Sequence, residues 1–176
     1  MKKITLSLIT LVVLTIGNAN AQKLIKYIDD MNDNVYFMFD KRFSLIDRVK
    51  DKGFAVDLYV DTEERNVDGD PKIKGISTKS VNIGTCSEKD ELIIMFEDDS
   101  KITFIAWNKY NCEGDGYYEL TKHGLEQLRT KKVKKVRLTN GRSFDSLTMD
   151  VEPEKQDYFI KAINSVETKT FTTQKK

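Results

Sequence analysis

The chain has 176 residues, with 29 Lys and Arg against 28 Asp and Glu, and a single His. A near-zero charge balance gives no electrostatic case for nucleic acid or an anionic lipid surface, and the length suits one domain with a real core.

Residues 1–21 read as a cleavable secretory signal. Lys2 and Lys3 form a positive start, Ile4 to Ile16 is an apolar stretch, and Ala19-Asn20-Ala21 supplies the small residues that a signal peptidase reads. An uncleaved anchor is the alternative, but the apolar run falls short of the ~20 residues a spanning helix needs. Cleavage leaves 155 residues from Gln22 to Lys176, with 27 basic and 28 acidic side chains. No cysteine follows the cleavage site and no later segment is long and apolar, so the expected location is the periplasm or the exterior, with no transmembrane segment in the mature chain.

Leu24, Tyr27, Ile28 and Met31 stand at helical spacing ahead of an Asn32-Asp33-Asn34 turn. Val35 to Phe39 reads as a strand. Arg42 to Val49 fits either a capped helix or a strand face, with strand favoured. Phe54, Val56, Leu58 and Val60 alternate with Ala55, Asp57 and Tyr59, the pattern of a half-buried strand. A polar loop spans Asp61 to Lys72, and short strands are expected at Ile73–Ile76 and Val81–Ile83. Leu92–Phe96 and Ile102–Trp107 form a hairpin around Glu97–Lys101; both its faces are apolar, which predicts a place near the sheet centre.

Tyr117–Leu120 is a short aromatic strand. Thr121 caps a helix through Arg129, with Leu120 and Leu125 at the positions of a hydrophobic staple. Val133–Thr139 and Phe144–Met149 are strands joined by Asn140-Gly141, a two-residue hairpin signal. Pro153 opens a second helix carrying Phe159, Ala162, Ile163 and Val166. Residues 167–176 are polar and read as a disordered tail. The predicted fold is α+β: a single domain over 22–166, mainly antiparallel sheet, with helices at about 121–130 and 153–166 packed on one face.

Cys86 and Cys112 are the only cysteines, and an even pair in an oxidising compartment predicts a disulfide. The hairpin register agrees. If Ile94 faces Phe104, Phe96 faces Ile102 and Leu92 faces Ala106, extending that ladder outward sets Cys86 opposite Cys112. Two buried free thiols are the alternative reading.

No catalytic set emerges. A Ser-His-Asp or Cys-His site has only His123 to use, and zinc lacks four ligands. The Asx clusters Asn66, Asp68, Asp70 and Asp30, Asn32, Asn34 lack the calcium-loop glycine and glutamate and read as turns. Gly114-Asp115-Gly116 lacks the strand-to-helix setting of a nucleotide loop. The basic run from Arg129 to Lys135 reads as a solvated face, with a phosphate- or polysaccharide-binding patch as the lesser reading. No metal or cofactor is expected. Trp107, Tyr110, Tyr117 and Tyr118 surround the polar loop Asn108–Gly116 and form a candidate binding surface; the alternative spends Trp107 and one tyrosine on the core.

The stretch from Leu92 through Leu120 holds Phe96-Glu97-Asp98-Asp99-Ser100-Lys101-Ile102, then Asn111-Cys112-Glu113-Gly114 and an aromatic strand, followed by a helix and a strand near Val136-Arg137. It resembles small exported proteins of Bacteroidota-type bacteria that carry no assigned function, over roughly the last 85 residues. The resemblance implies an envelope or secreted setting and an α+β domain, and no catalytic residue.

Function is therefore expected to be non-enzymatic binding of an envelope protein or glycan. An inhibitor or immunity-type role is one form of this, and a small hydrolase using unidentified carboxylates or a structural envelope component are the competing expectations. Intact mass of the secreted protein checks the first steps. The unreduced chain should begin at Gln22 and take up no alkylating label under denaturing conditions, and the reduced chain should take up two.

Overall fold

The computed structural model describes residues 22–29, 31, 34–62 and 69–175. The signal segment, Asp30, Asn32, Asp33 and the loop positions Asn66 and Asp68 lie outside the described residues.

Among the described residues, eleven strands and two α-helices follow in order. These are β1 (Leu24–Ile28), β2 (Val35–Phe39), β3 (Phe43–Asp47), β4 (Lys52–Asp61), β5 (Lys72–Val81), β6 (Glu91–Phe96), β7 (Lys101–Ile105), β8 (Asp115–Glu119), α1 (Lys122–Thr130), β9 (Val133–Thr139), β10 (Ser146–Asp150), α2 (Tyr158–Glu167) and β11 (Phe171–Lys175). The α+β class is as expected, but the strands divide into three sheets, β11-β1-β2, β10-β9-β6-β7 and β3-β4-β5-β8.

The clearest sequence alternation gives the clearest strand. On β4, Phe54, Val56, Leu58 and Val60 point inward and are buried, and the strand pairs along its length with β5. Leu92, Ile94 and Phe96 of β6 and Phe159, Ala162 and Ile163 of α2 are fully buried. Each such large side chain contributes about 1.5–3 kcal/mol by leaving water. The Tyr158 ring lies 5.2 Å from Phe43 and 6.3 Å from Phe39, tying α2 to β2 and β3.

Several elements differ from the pattern read in sequence. The first stretch is a strand, not a helix, because its inner face is Leu24, Lys26 and Ile28. Lys26 hides the alternation; its ammonium sits 6.0 and 5.7 Å from the Phe37 and Phe171 ring centres, where ring faces accept a cation. The short strands at 73–76 and 81–83 are one strand, β5, that ends at Val81. The tail is ordered: β11 pairs in parallel with β1, Leu24 opposite Phe171, and the Phe171 ring meets Phe37 edge-on at 5.6 Å. Backbone pairing supports this strand with only one apolar residue in it.

Asn140-Gly141 does not make a two-residue turn. Thr139 pairs with Ser146 across a six-residue loop, 140–145. Buried Asn140 organises it, its Oδ1 accepting from the amides of Arg142 and Ser143 while its Nδ2 donates to the Cys86 carbonyl. Pro153 opens a 3-10 turn, Pro153–Lys155, and α2 begins only at Tyr158. As predicted, Thr121 caps α1, accepting from the Gly124 amide at 3.1 Å.

The central hairpin has β6 inside its sheet, but β7 is an edge with Lys101, Thr103 and Ile105 outward. Its register is two residues from the expected one: Ile94 faces Ile102 and Leu92 faces Phe104. A slip of two keeps every side chain on its face, so turn chemistry decides. Asp99 adopts φ 61°, the Asp99 amide donates to the Phe96 carbonyl, and the Phe96 amide donates to the Ser100 carbonyl, closing a three-residue turn with a left-handed third position.

That turn is pinned by charge. Lys131 donates to the Asp98 carboxylate, and this bond, with one from Ser100, lowers Asp98 to about 2 from its ordinary 3.8. A depressed folded-state value adds stability above the unfolded value and loses it as pH falls through the folded one. Between about pH 4 and pH 2, urea midpoints of the wild-type chain should therefore fall more than those of Asp98→Asn; equal declines would refute the assignment.

Candidate functional site

Cys86 and Cys112 form the predicted disulfide, with Cα atoms 4.0 Å apart. The hairpin register alone would not bring them together. The Ala106 amide still donates to the Asp90 carbonyl in step with β6 and β7, whereas Ser87 pairs with Asn111, two residues out of step. Between those two contacts lie residues 88–89 on one side and 107–110 on the other. The two surplus residues must bow outward, and they carry Trp107, which is 68% exposed.

The loop that follows is fixed by its asparagines. Asn108 Oδ1 accepts from the Tyr117 amide at 2.8 Å, and the Asn108 and Asn111 amide groups both donate to the Asp115 carbonyl. Gly114, at φ 80°, packs so closely on β5 that a Cβ would lie 2.5 Å from the Ser80 carbonyl oxygen.

The four predicted surface aromatics do not stay together. Trp107 and Tyr117 do, with ring centres 5.9 Å apart. Tyr110 is exposed but stacks instead under the Arg142 guanidinium, 4.8 Å from its ring centre. Tyr118 is a core residue, 1% exposed, with its hydroxyl 3.2 Å from Thr78 Oγ1, and burial pushes its phenol well above the ordinary range. Strand alternation requires this, since Tyr117 and Tyr118 are neighbours on β8 and cannot share a face. The third member is Tyr59 of β4, whose ring lies 6.2 Å from Tyr117. Its outward position on β4 was legible; its partnership across β5 was not.

The three rings wall a concavity of about 330 Å³, with Asp61, Thr62, Lys74, Gly75, Ile76 and Tyr118 completing it. Two local features open it. Gly75 stands between Tyr59 and Glu119 in the ladder, and a Cβ there would lie 2.5 Å from the Tyr118 carbonyl oxygen. Lys74 is an extra residue in β5, where Tyr59 pairs with Gly75 but Val60 pairs with Ile73, and such a bulge redirects its side chain.

A polar groove of about 310 Å³ adjoins it, sharing Tyr59 and Tyr117 and reaching Asp57, Lys79 and Asp115. Burial holds the Asp57 carboxyl above the ordinary range, against a 2.8 Å bond from the Tyr158 hydroxyl and the charge of Arg42. The second carboxylate, Asp115, is paired with Lys79 at 3.1 Å. The groove thus holds one desolvated carboxyl and one ion-paired carboxylate.

His123 is exposed in the first turn of α1. Among the described residues no group of three or more His, Cys, Asp or Glu is placed to hold a metal, and no helix is long and apolar enough to cross a membrane. In the basic run, Arg129 pairs with Glu126 and Glu167, Lys131 with Asp98, Lys134 with Asp99 and Lys135 with Asp150, so four of its five cations are ion-paired.

No protein-family model, curated protein or solved structure matches the chain. Function therefore has to be read from the site itself. Replacing both Cys86 and Cys112 by alanine should lower unfolding free energy by roughly 3 kcal/mol on the chain-entropy model. Denaturant unfolding measures this, and an unchanged midpoint would show that the asparagine bonds hold the loop unaided.

Proposed function

We propose that this is an exported, non-enzymatic binding domain of the cell envelope that takes a protein or glycan partner on the face carrying Tyr59, Trp107 and Tyr117. The observation that carries the reading is the ring cluster. Tyr117 lies against both Tyr59 and Trp107, and Tyr59, Trp107 and Tyr117 remain 38%, 68% and 37% exposed around a concavity on a sheet. Apolar surface held open on a fixed scaffold marks an interaction site. The signal-like first 21 residues and the disulfide support the exported setting. An inhibitor of another secreted protein is one role such a face would serve.

Wild-type protein immobilised on a biosensor surface should take up a component of a solubilised envelope fraction saturably, and Tyr117→Ala should not. Stability of this variant should stay within about 1 kcal/mol of wild type, as for partly exposed positions. An unresponsive wild-type protein would sink the binding reading.

A further inference from the structure

The ring-walled concavity is one end of a longer channel. It shares Tyr59 and Tyr117 with the polar groove, and that groove shares Arg42 and Lys79 with a third hollow of about 240 Å³. The third hollow lies over Gly53 and Ala55 of β4, between Ile46 of β3 and Val81 of β5. Register sets the channel along β4 from Gly53 to Tyr59, a run of about 20 Å at strand spacing. Small outward residues keep it open: Gly53, Ala55, Gly75 and Ser77.

The two ends differ. One carries the rings, and the other carries the branched aliphatics Ile46 and Val81, 61% and 55% exposed. Between them the accessible charge is positive. Arg42 lies 3.7 Å from Asp57 and Lys79 lies 3.1 Å from Asp115, yet the cations are 52% and 44% exposed and their acids only 22% and 28%. Of the described residues lining the channel, Arg42, Lys74 and Lys79 are exposed cations and Asp51 is the one exposed acid. Asp51 stands at the far rim, where the Asn82 side chain donates to its carboxylate at 3.3 Å.

We infer that this channel takes an extended acidic segment of a protein partner, with an apolar side chain at each end and carboxylates toward Arg42 and Lys79. The inference rests on the binding reading above and chooses protein over glycan within it. About 20 Å accommodates roughly six extended residues. The aromatic end would accept a ring or a sugar face alike, so the other end decides. Ile46 and Val81 gain by covering a Leu- or Val-like side chain, and a polysaccharide backbone has no such group to place there. Exposed cations above recessed acids attract an anionic partner and disfavour a cationic one.

The test selects random peptides displayed on phage, each about twice the length of the channel, against the immobilised protein. Enriched peptides should carry net negative charge, with apolar residues roughly six positions apart. A synthetic copy of one such peptide should bind more weakly as salt rises. Lys79→Gln should weaken it about 3-fold, and Val81→Thr about 4-fold through the loss of one covered methyl. Both side chains are exposed, so unfolding midpoints should not move and lost affinity cannot be put down to misfolding. Wild-type affinity in either variant overturns the channel as the site. Enrichment of neutral or basic peptides overturns the acidic class. No enrichment of any peptide, with Tyr117-dependent uptake from the envelope fraction intact, overturns this inference and leaves the binding reading standing. No response in either experiment overturns both.

Discussion

Two surplus residues between β7 and the disulfide shape the face that carries Trp107 and Tyr117. The hairpin fixes one end of the mismatch at Ala106 and the Cys86–Cys112 bond fixes the other, and the extra length has nowhere to go but outward. Trp107 rides on that excursion, and its amide donates to the Tyr117 carbonyl at 2.9 Å, which joins the bow to the neighbouring sheet. Exposure of the tryptophan is therefore imposed by covalent and backbone geometry. Order in the loop that follows is added by Asn108, Asn111 and Gly114.

The remaining surface is quiet by comparison. Pairs such as Lys134 with Asp99 and Lys135 with Asp150 are exposed, where solvent screening leaves little net stabilisation. Their effect is to cancel charge where the sequence concentrates it. What then distinguishes one face from another is apolar shape, and the largest outward rings in mutual contact lie on the face of β4, β5 and β8.

Legibility in the sequence followed how local each determinant is. Side-chain period placed β4, β6 and α1 well, because alternation and capping act within a few residues. Periodicity misled at β1, where Leu24, Tyr27 and Ile28 satisfy a helix as well as a strand and the inward Lys26 conceals the difference. Non-local pairing was out of reach: β11 is a strand only because β1 lies beside it, and three sheets in place of one follow from partners far apart in sequence. The disulfide was foreseen through a ladder that is itself two residues off, and the irregular excursion restores the match. Of the site, Trp107 and Tyr117 were legible. Tyr59 and Thr62 were not, since their relation to the loop exists only across β5.

The pairing of β1 with β11 joins the first described strand to the last. Gln22 reinforces the closure, its carbonyl accepting from Ser165 of α2 while its side chain donates to the Lys41 carbonyl. A chain cut before Phe171 therefore leaves the outer edge of β1 bare and open to pairing with another molecule.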